Sequence, residues 1–99
     1  MPMNIIEHFV NGKKFSGDSI RRSKVYNPAT GEHIADVNLA STRDIDIAVE
    51  VAKTAFITWS KKPPLQRARV MFKFKELIEK NFDELTKIIV SEHGKVFDD

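Results

Sequence analysis

His8, His33 and His93 are the residues best suited by type to bind a metal, and no cysteine accompanies them. They stand far apart along the chain, whereas a metal site needs three or four converging ligands. No metal site is therefore expected. The lack of cysteine also means that a thiolate nucleophile cannot come from this chain. Gly94-Lys95 carries the dipeptide of a phosphate loop, yet lacks the upstream glycine and the following Ser or Thr. No G-x-G-x-x-G occurs either, so these residues alone are not expected to cradle a dinucleotide.

Glu76, Glu79, Asp83 and Glu84 could be read as an acid/base pair. Their helical spacing instead favours solvation and ion pairing, with Glu76 and Lys80 suited to an i, i+4 contact worth about 0.2–0.5 kcal/mol. Lys61, Lys62, Arg67, Arg69, Lys73 and Lys75 follow one another without an acid among them, and Phe72 and Phe74 interleave with the lysines. Such a mixture can bind single-stranded nucleic acid. Both aromatics, however, fall on an apolar helical arc, which favours packing. No catalytic, cofactor-binding or metal-ligating residue is assigned on these grounds.

The elements that would position such groups are legible. His8-Phe9-Val10 and Lys13-Lys14-Phe15 flank Asn11-Gly12, a pair that tolerates the positive φ angles of a type I′ turn. Residues 16–24 are polar and read as a surface loop. Val25-Tyr26 is extended and ends at Asn27-Pro28, where proline disfavours helix. A turn through Ala29-Thr30-Gly31-Glu32 leads to a strand from His33 to Val37.

The first helix, 41–59, starts at Ser41 with Asp44 as its capping-box partner. Ile45, Ala48, Val49, Ala52, Ala55, Phe56 and Trp59 then form one apolar stripe. Ser60 to Pro64 interrupts it, and Pro64 suits the first turn of a second helix, 64–81. Leu65, Ala68, Val70, Met71, Phe72, Phe74, Leu77 and Ile78 spread over more than half of that helix. So wide an arc expects neighbours on several sides. Asn81 with Glu84 is read as the cap of a third helix, 82–93, whose face is Phe82, Leu85, Ile88 and Ile89. Gly94 ends it as a left-handed residue. Val96-Phe97-Asp98-Asp99 follows with no closing structure, which reads as an interruption.

Bulk properties limit the classes. The chain has 99 residues, 41% hydrophobic and 30% charged, with a net charge of +2. That is ordinary for a folded soluble domain and too mildly basic to indicate nucleic acid by itself. No apolar run reaches the length of a membrane span. The opening Met1-Pro2-Met3-Asn4-Ile5-Ile6-Glu7 has neither a secretory nor a transit-peptide pattern, so a cytoplasmic location is expected.

Several motifs in order resemble the aldehyde dehydrogenase superfamily. Phe9-Val10-Asn11-Gly12 resembles its opening hairpin, and Asn27-Pro28-Ala29-Thr30-Gly31-Glu32 its next turn. Ala52, Ala55, Phe56 and Trp59 are similar to its first long helix. Pro64 and Arg67 resemble the start of its second, and Glu92-His93-Gly94-Lys95 the end of its third. His8 to Lys13, Arg67 to Phe74 and Ser91 to Val96 resemble the methylmalonate-semialdehyde dehydrogenase branch in particular. Ile57, where many relatives have proline, and the basic Arg21-Arg22-Ser23-Lys24 depart from the pattern.

The resemblance implies an α/β parent in which residues 1–99 are the amino-terminal, peripheral part of a Rossmann-like NAD-binding domain: a hairpin and short strands, then three helices. It implies NAD as cofactor, CoA as cosubstrate, and oxidation of methylmalonate or malonate semialdehyde to propionyl-CoA or acetyl-CoA in valine and inositol catabolism. It also implies a homo-oligomeric parent. The family's cysteine, its NAD-binding strands and its oxyanion-stabilising asparagine would lie beyond Asp99. The chain alone is then expected to be inactive, its partner being the remainder of the enzyme. Two rival expectations stand beside this one: a free-standing interaction module built on apolar helices, and a single-strand binder using residues 61–75.

Overall fold

A computed structural model describes residues 4–99 of the chain. Met1-Pro2-Met3, the start of the opening segment in which no targeting pattern was expected, lies outside the described residues. The order is β1 (Asn4–Ile6), β2 (His8–Val10), β3 (Lys13–Phe15), β4 (Arg22–Tyr26), β5 (His33–Asn38), α1 (Thr42–Trp59), α2 (Pro64–Lys80) and α3 (Phe82–His93). The fold is thus mixed α/β, with short strands followed by three helices where the apolar periodicity puts them.

The β2–β3 hairpin forms because Asn11 and Gly12 both accept positive φ, 57° and 75°, as a two-residue turn of the right twist demands. His8 pairs with Phe15 and Val10 with Lys13. A second sheet has the order β1-β5-β4, with β1 parallel and β4 antiparallel to β5. Its central strand holds Ala35 and Asn38, two of the few buried residues.

Two strands correct the reading of the sequence. β1 was not anticipated, because Ile5 and Ile6 are too short a run to signal a strand and its partner lies some thirty residues on. Residues 22–24, read as loop, are the start of β4. β4 is an edge strand whose one inward residue is Val25, so its polar side chains hide it from hydrophobic patterning. Arg21 and Arg22 are not idle there. Arg21 donates to the Ala40 carbonyl at 2.9 Å and Arg22 Nε to Asn38 Oδ1 at 3.2 Å. The basic stretch therefore ties the entry of β4 to the exit of β5.

α1 begins as its sequence predicts. Ser41 is extended, its hydroxyl accepts from the Asp44 amide, and Asp44 accepts from the Ser41 amide. The junction of α2 and α3 differs from expectation. Asn81 sits at φ −106° and ψ 19°, not in the extended region a side-chain N-cap needs. Its side-chain Nδ2 instead donates to the Leu77 carbonyl at 2.7 Å and closes α2, while its backbone carbonyl starts α3 by accepting from the Leu85 amide. One residue between two helices leaves no room for a capping box. The expected Glu76–Lys80 pair does not form, because Glu76 is taken by Lys73 at 3.2 Å; Lys75 pairs with Glu79 at 3.4 Å. Gly94 ends α3 at φ 81°.

The helices do not close over a core. The radius of gyration is 17.2 Å, against about 13 Å for a compact chain of this length. No residue of α2 or α3 is buried.

Candidate functional site

The histidines lie on β2, on β5 and at the end of α3, and do not come together. His33 meets Asp36 at 2.8 Å. A register slip in β5 explains that contact. Val25 pairs with Ala35 and Tyr26 with His33, so Ile34 is the extra residue. Such a bulge re-aims side chains, and here brings His33 to the face of Asp36. No group of three His, Cys, Asp or Glu among the described residues is arranged to hold a metal.

The densest polar cluster is at the start of α1. Asp44 is buried. It accepts from the Ser41 amide at 2.9 Å and from the Asp18 amide at 3.1 Å. The Ser41 hydroxyl bonds Asp18 in turn. The Ser41 amide, first among several causes, holds the Asp44 carboxyl below its ordinary value of 3.8; burial opposes it, and the Asp18 amide, the Ser41 hydroxyl and nearby His8 add to the lowering. Gly17 makes room for this arrangement. A Cβ there would stand 2.3 Å from an Asp44 carboxylate oxygen. All the donors that Asp44 meets belong to the chain itself, so the cluster fastens the 16–21 loop onto α1. Sequence reasoning found Ser41 and Asp44 but missed Asp18 and Gly17, whose contact crosses more than twenty residues.

The turn motif Asn27 to Glu32 is also turned inward on itself. The Asn27 amide donates to the Glu32 carbonyl at 2.8 Å, and Gly31 donates to the Asn27 carbonyl at 2.7 Å. The Asn27 side chain accepts from Ala29 at 3.0 Å and the Thr30 hydroxyl from Glu32 at 3.2 Å. Asn, Pro, Thr and Gly are each used for turn chemistry, and none is left aimed at a ligand. Gly94 lies against this turn: a Cβ on it would come within 3.0 Å of Pro28. Two of the motifs quoted above therefore touch.

Among the described residues, the two turn glycines and the start of α1 are not shaped to cradle a dinucleotide. Gly12 and Gly31 shape turns, with open space where a Cβ would be, and neither opens a helix. The N-terminus of α1, the natural place for a phosphate, already holds the carboxylate of Asp44.

What remains is an apolar surface on α2 and α3. Leu65, Met71, Phe72, Phe74, Phe82 and Ile89 are each more than half exposed. The stripe on α1 is similarly uncovered at Ile45, Val49 and Phe56. Large exposed patches of this kind mark interaction sites. Within it stands Arg67, whose Nε is closed off from solvent and has no hydrogen-bond partner among the described residues.

The chain matches the model of the aldehyde dehydrogenase family over residues 15–99. It is 42% identical to the malonate-semialdehyde dehydrogenase of Halalkalibacterium halodurans, over 93% of this chain and 19% of that protein. Among solved structures it resembles the methylmalonate-semialdehyde dehydrogenase of Oceanimonas doudoroffii, with 46% identity and a TM-score of 0.93 over 97% of this chain and 20% of the other. It also resembles a Sinorhizobium meliloti protein assigned as a methylmalonate-semialdehyde dehydrogenase, in complex with NAD. There the identity is 44% and the TM-score 0.94, over 98% of this chain and 20% of the other. The chain thus spans about a fifth of the length of the relatives it matches.

Proposed function

This chain belongs to the aldehyde dehydrogenase family, and on that premise we propose that it is the amino-terminal part of the NAD-binding domain of a malonate- or methylmalonate-semialdehyde dehydrogenase. The whole enzyme is NAD-dependent and CoA-acylating. It converts the semialdehyde to acetyl-CoA or propionyl-CoA with loss of carbon dioxide. NAD, when bound, takes the hydride. The thiol and the dinucleotide cradle come from the rest of the enzyme, so this chain alone is inactive.

One observation carries the reading. A segment that superimposes on a fifth of such enzymes leaves the apolar arcs of its helices uncovered. In this reading Leu65, Met71, Phe74 and Ile78 pack against the sheet and helices of the remaining four-fifths. The chain's own part is to supply edge strands and a helical shell, held in shape by the Asp44 cluster and the Asn27 turn.

The test joins this chain in frame to the remaining four-fifths of the Sinorhizobium meliloti relative. With malonate semialdehyde, NAD and CoA, the joined protein forms NADH and acetyl-CoA, and the isolated chain forms neither. A joined protein that folds without turnover, or turnover by the isolated chain free of host dehydrogenase, refutes the proposal.

A further inference from the structure

Arg67 occupies an unusual place on α2. Val70, Met71 and Phe74 lie three, four and seven residues on, so they share its stripe of the helix. All three are more than half exposed. Arg67 is thus a fixed positive charge within an apolar surface. A guanidinium does not lose its proton in proteins, so it cannot escape burial by becoming neutral.

No partner for it exists among the described residues. Its Nε is shut off from solvent without a hydrogen bond, and it joins no ion pair. The acids of α2 are engaged elsewhere, Glu76 by Lys73 and Glu79 by Lys75. On α3, joined to α2 through Asn81, Asp83 and Glu84 lie in the first turn, and neither forms an ion pair with Arg67 among the described residues.

We propose that the surface covering α2 in the whole enzyme presents a carboxylate to Arg67, a buried ion pair ringed by Val70, Met71 and Phe74. The inference rests on the reading that the missing four-fifths of the enzyme cover this helix, and deepens it by naming the chemistry of the contact. Covering the apolar stripe removes water from Arg67 as well. A buried charge needs an opposite charge and hydrogen bonds. A neutral carbonyl would satisfy the hydrogen bond and leave the charge. A carboxylate satisfies both, and the planar fork of arginine matches it.

The experiment uses the joined protein described above and the isolated chain, each with Arg67 or with R67M, which keeps the apolar stem. In the joined protein, R67M lowers the thermal transition at pH 8 by at least about 3 °C. The gap narrows by pH 5, because the orphaned buried carboxylate takes up a proton. R67K, which keeps the charge and loses the fork, falls between the two. In the isolated chain R67M is neutral or raises the transition, since it removes a polar atom that has no partner there. A role confined to this chain would move both proteins in the same direction.

Equal stability of Arg67 and R67M in the joined protein overturns the proposal. So does a loss that is the same at pH 8 and pH 5. Failure of the unsubstituted joined protein to fold counts instead against the reading of the chain as part of such an enzyme.

Discussion

Replacing Gly17 by alanine separates two costs that glycine avoids. Gly17 and Gly31 have nearly the same backbone angle, φ 77° and 75°. An L-residue at either position costs about 1–2 kcal/mol in backbone strain. At Gly31 nothing lies within 4 Å of the added Cβ, so strain is the whole effect. At Gly17 the Cβ would lie 2.3 Å from Asp44 Oδ2, 2.7 Å from its Cγ and 2.9 Å from its Oδ1. All three are below any tolerated contact, and the carboxylate is held in place by the Ser41 and Asp18 amides. Overpacking of this kind adds about 1–3 kcal/mol, for a total of about 2–5 kcal/mol. Urea unfolding followed by far-ultraviolet circular dichroism at pH 7 measures the difference. G17A is expected to lose clearly more than G31A, and to lose hydrogen-exchange protection at the Asp18 and Ser41 amides. Equal losses for the two variants would refute the reasoning that ties Gly17 to Asp44.

Two further outcomes follow from the same structure. The Asp44 carboxyl lies below its ordinary 3.8, so its ionised form stabilises the fold fully above that value, and the benefit is lost as pH falls through the lower folded value. The difference in urea midpoint between the parent and D44N should hold steady from pH 7 to about 5 and shrink on the acid side of the unfolded value; an unchanged difference at pH 3 would count against the cluster. The uncovered arcs of α2 and α3 should make the isolated chain self-associate, seen as a rise in scattered light with concentration, whereas a monomer that stays monodisperse at every concentration would contradict an unfinished shell.

What could be read from the sequence was set by distance along the chain. The Asn11-Gly12 turn, the Ser41–Asp44 box, Pro64 and Gly94 are local devices, complete within a few residues, and each lies where its sequence predicts. Contacts between distant residues left no such signal. β1 pairs with β5 across the hairpin and β4. Asp18 and Gly17 meet Asp44, and Gly94 meets Pro28. Only Val25-Tyr26 of the edge strand β4 was legible, because Arg22, Ser23 and Lys24 are exposed and a single inward residue, Val25, cannot make an alternating pattern. Asn81 has the side chain of an N-cap without the extended backbone angle that capping requires.

The residues that carry the family likeness are not residues of chemistry. Asn27 to Glu32 spends its polar groups on its own turn, Asn11-Gly12 sets a hairpin, and Gly94 closes a helix against Pro28. Each is a place where the backbone itself demands a particular side chain, or none. Such demands persist whatever lies elsewhere in the protein, so they can identify a family from a fifth of its length without touching the reaction. The same logic singles out Arg67. Among the described residues its position has no local reason: it caps no helix, its Nε has no hydrogen-bond partner, and it interrupts an apolar stripe. On the proposal made for α2, the compensation lies in the surface that covers the helix, and a single charge then says more about the chemistry of that surface than the larger apolar area around it.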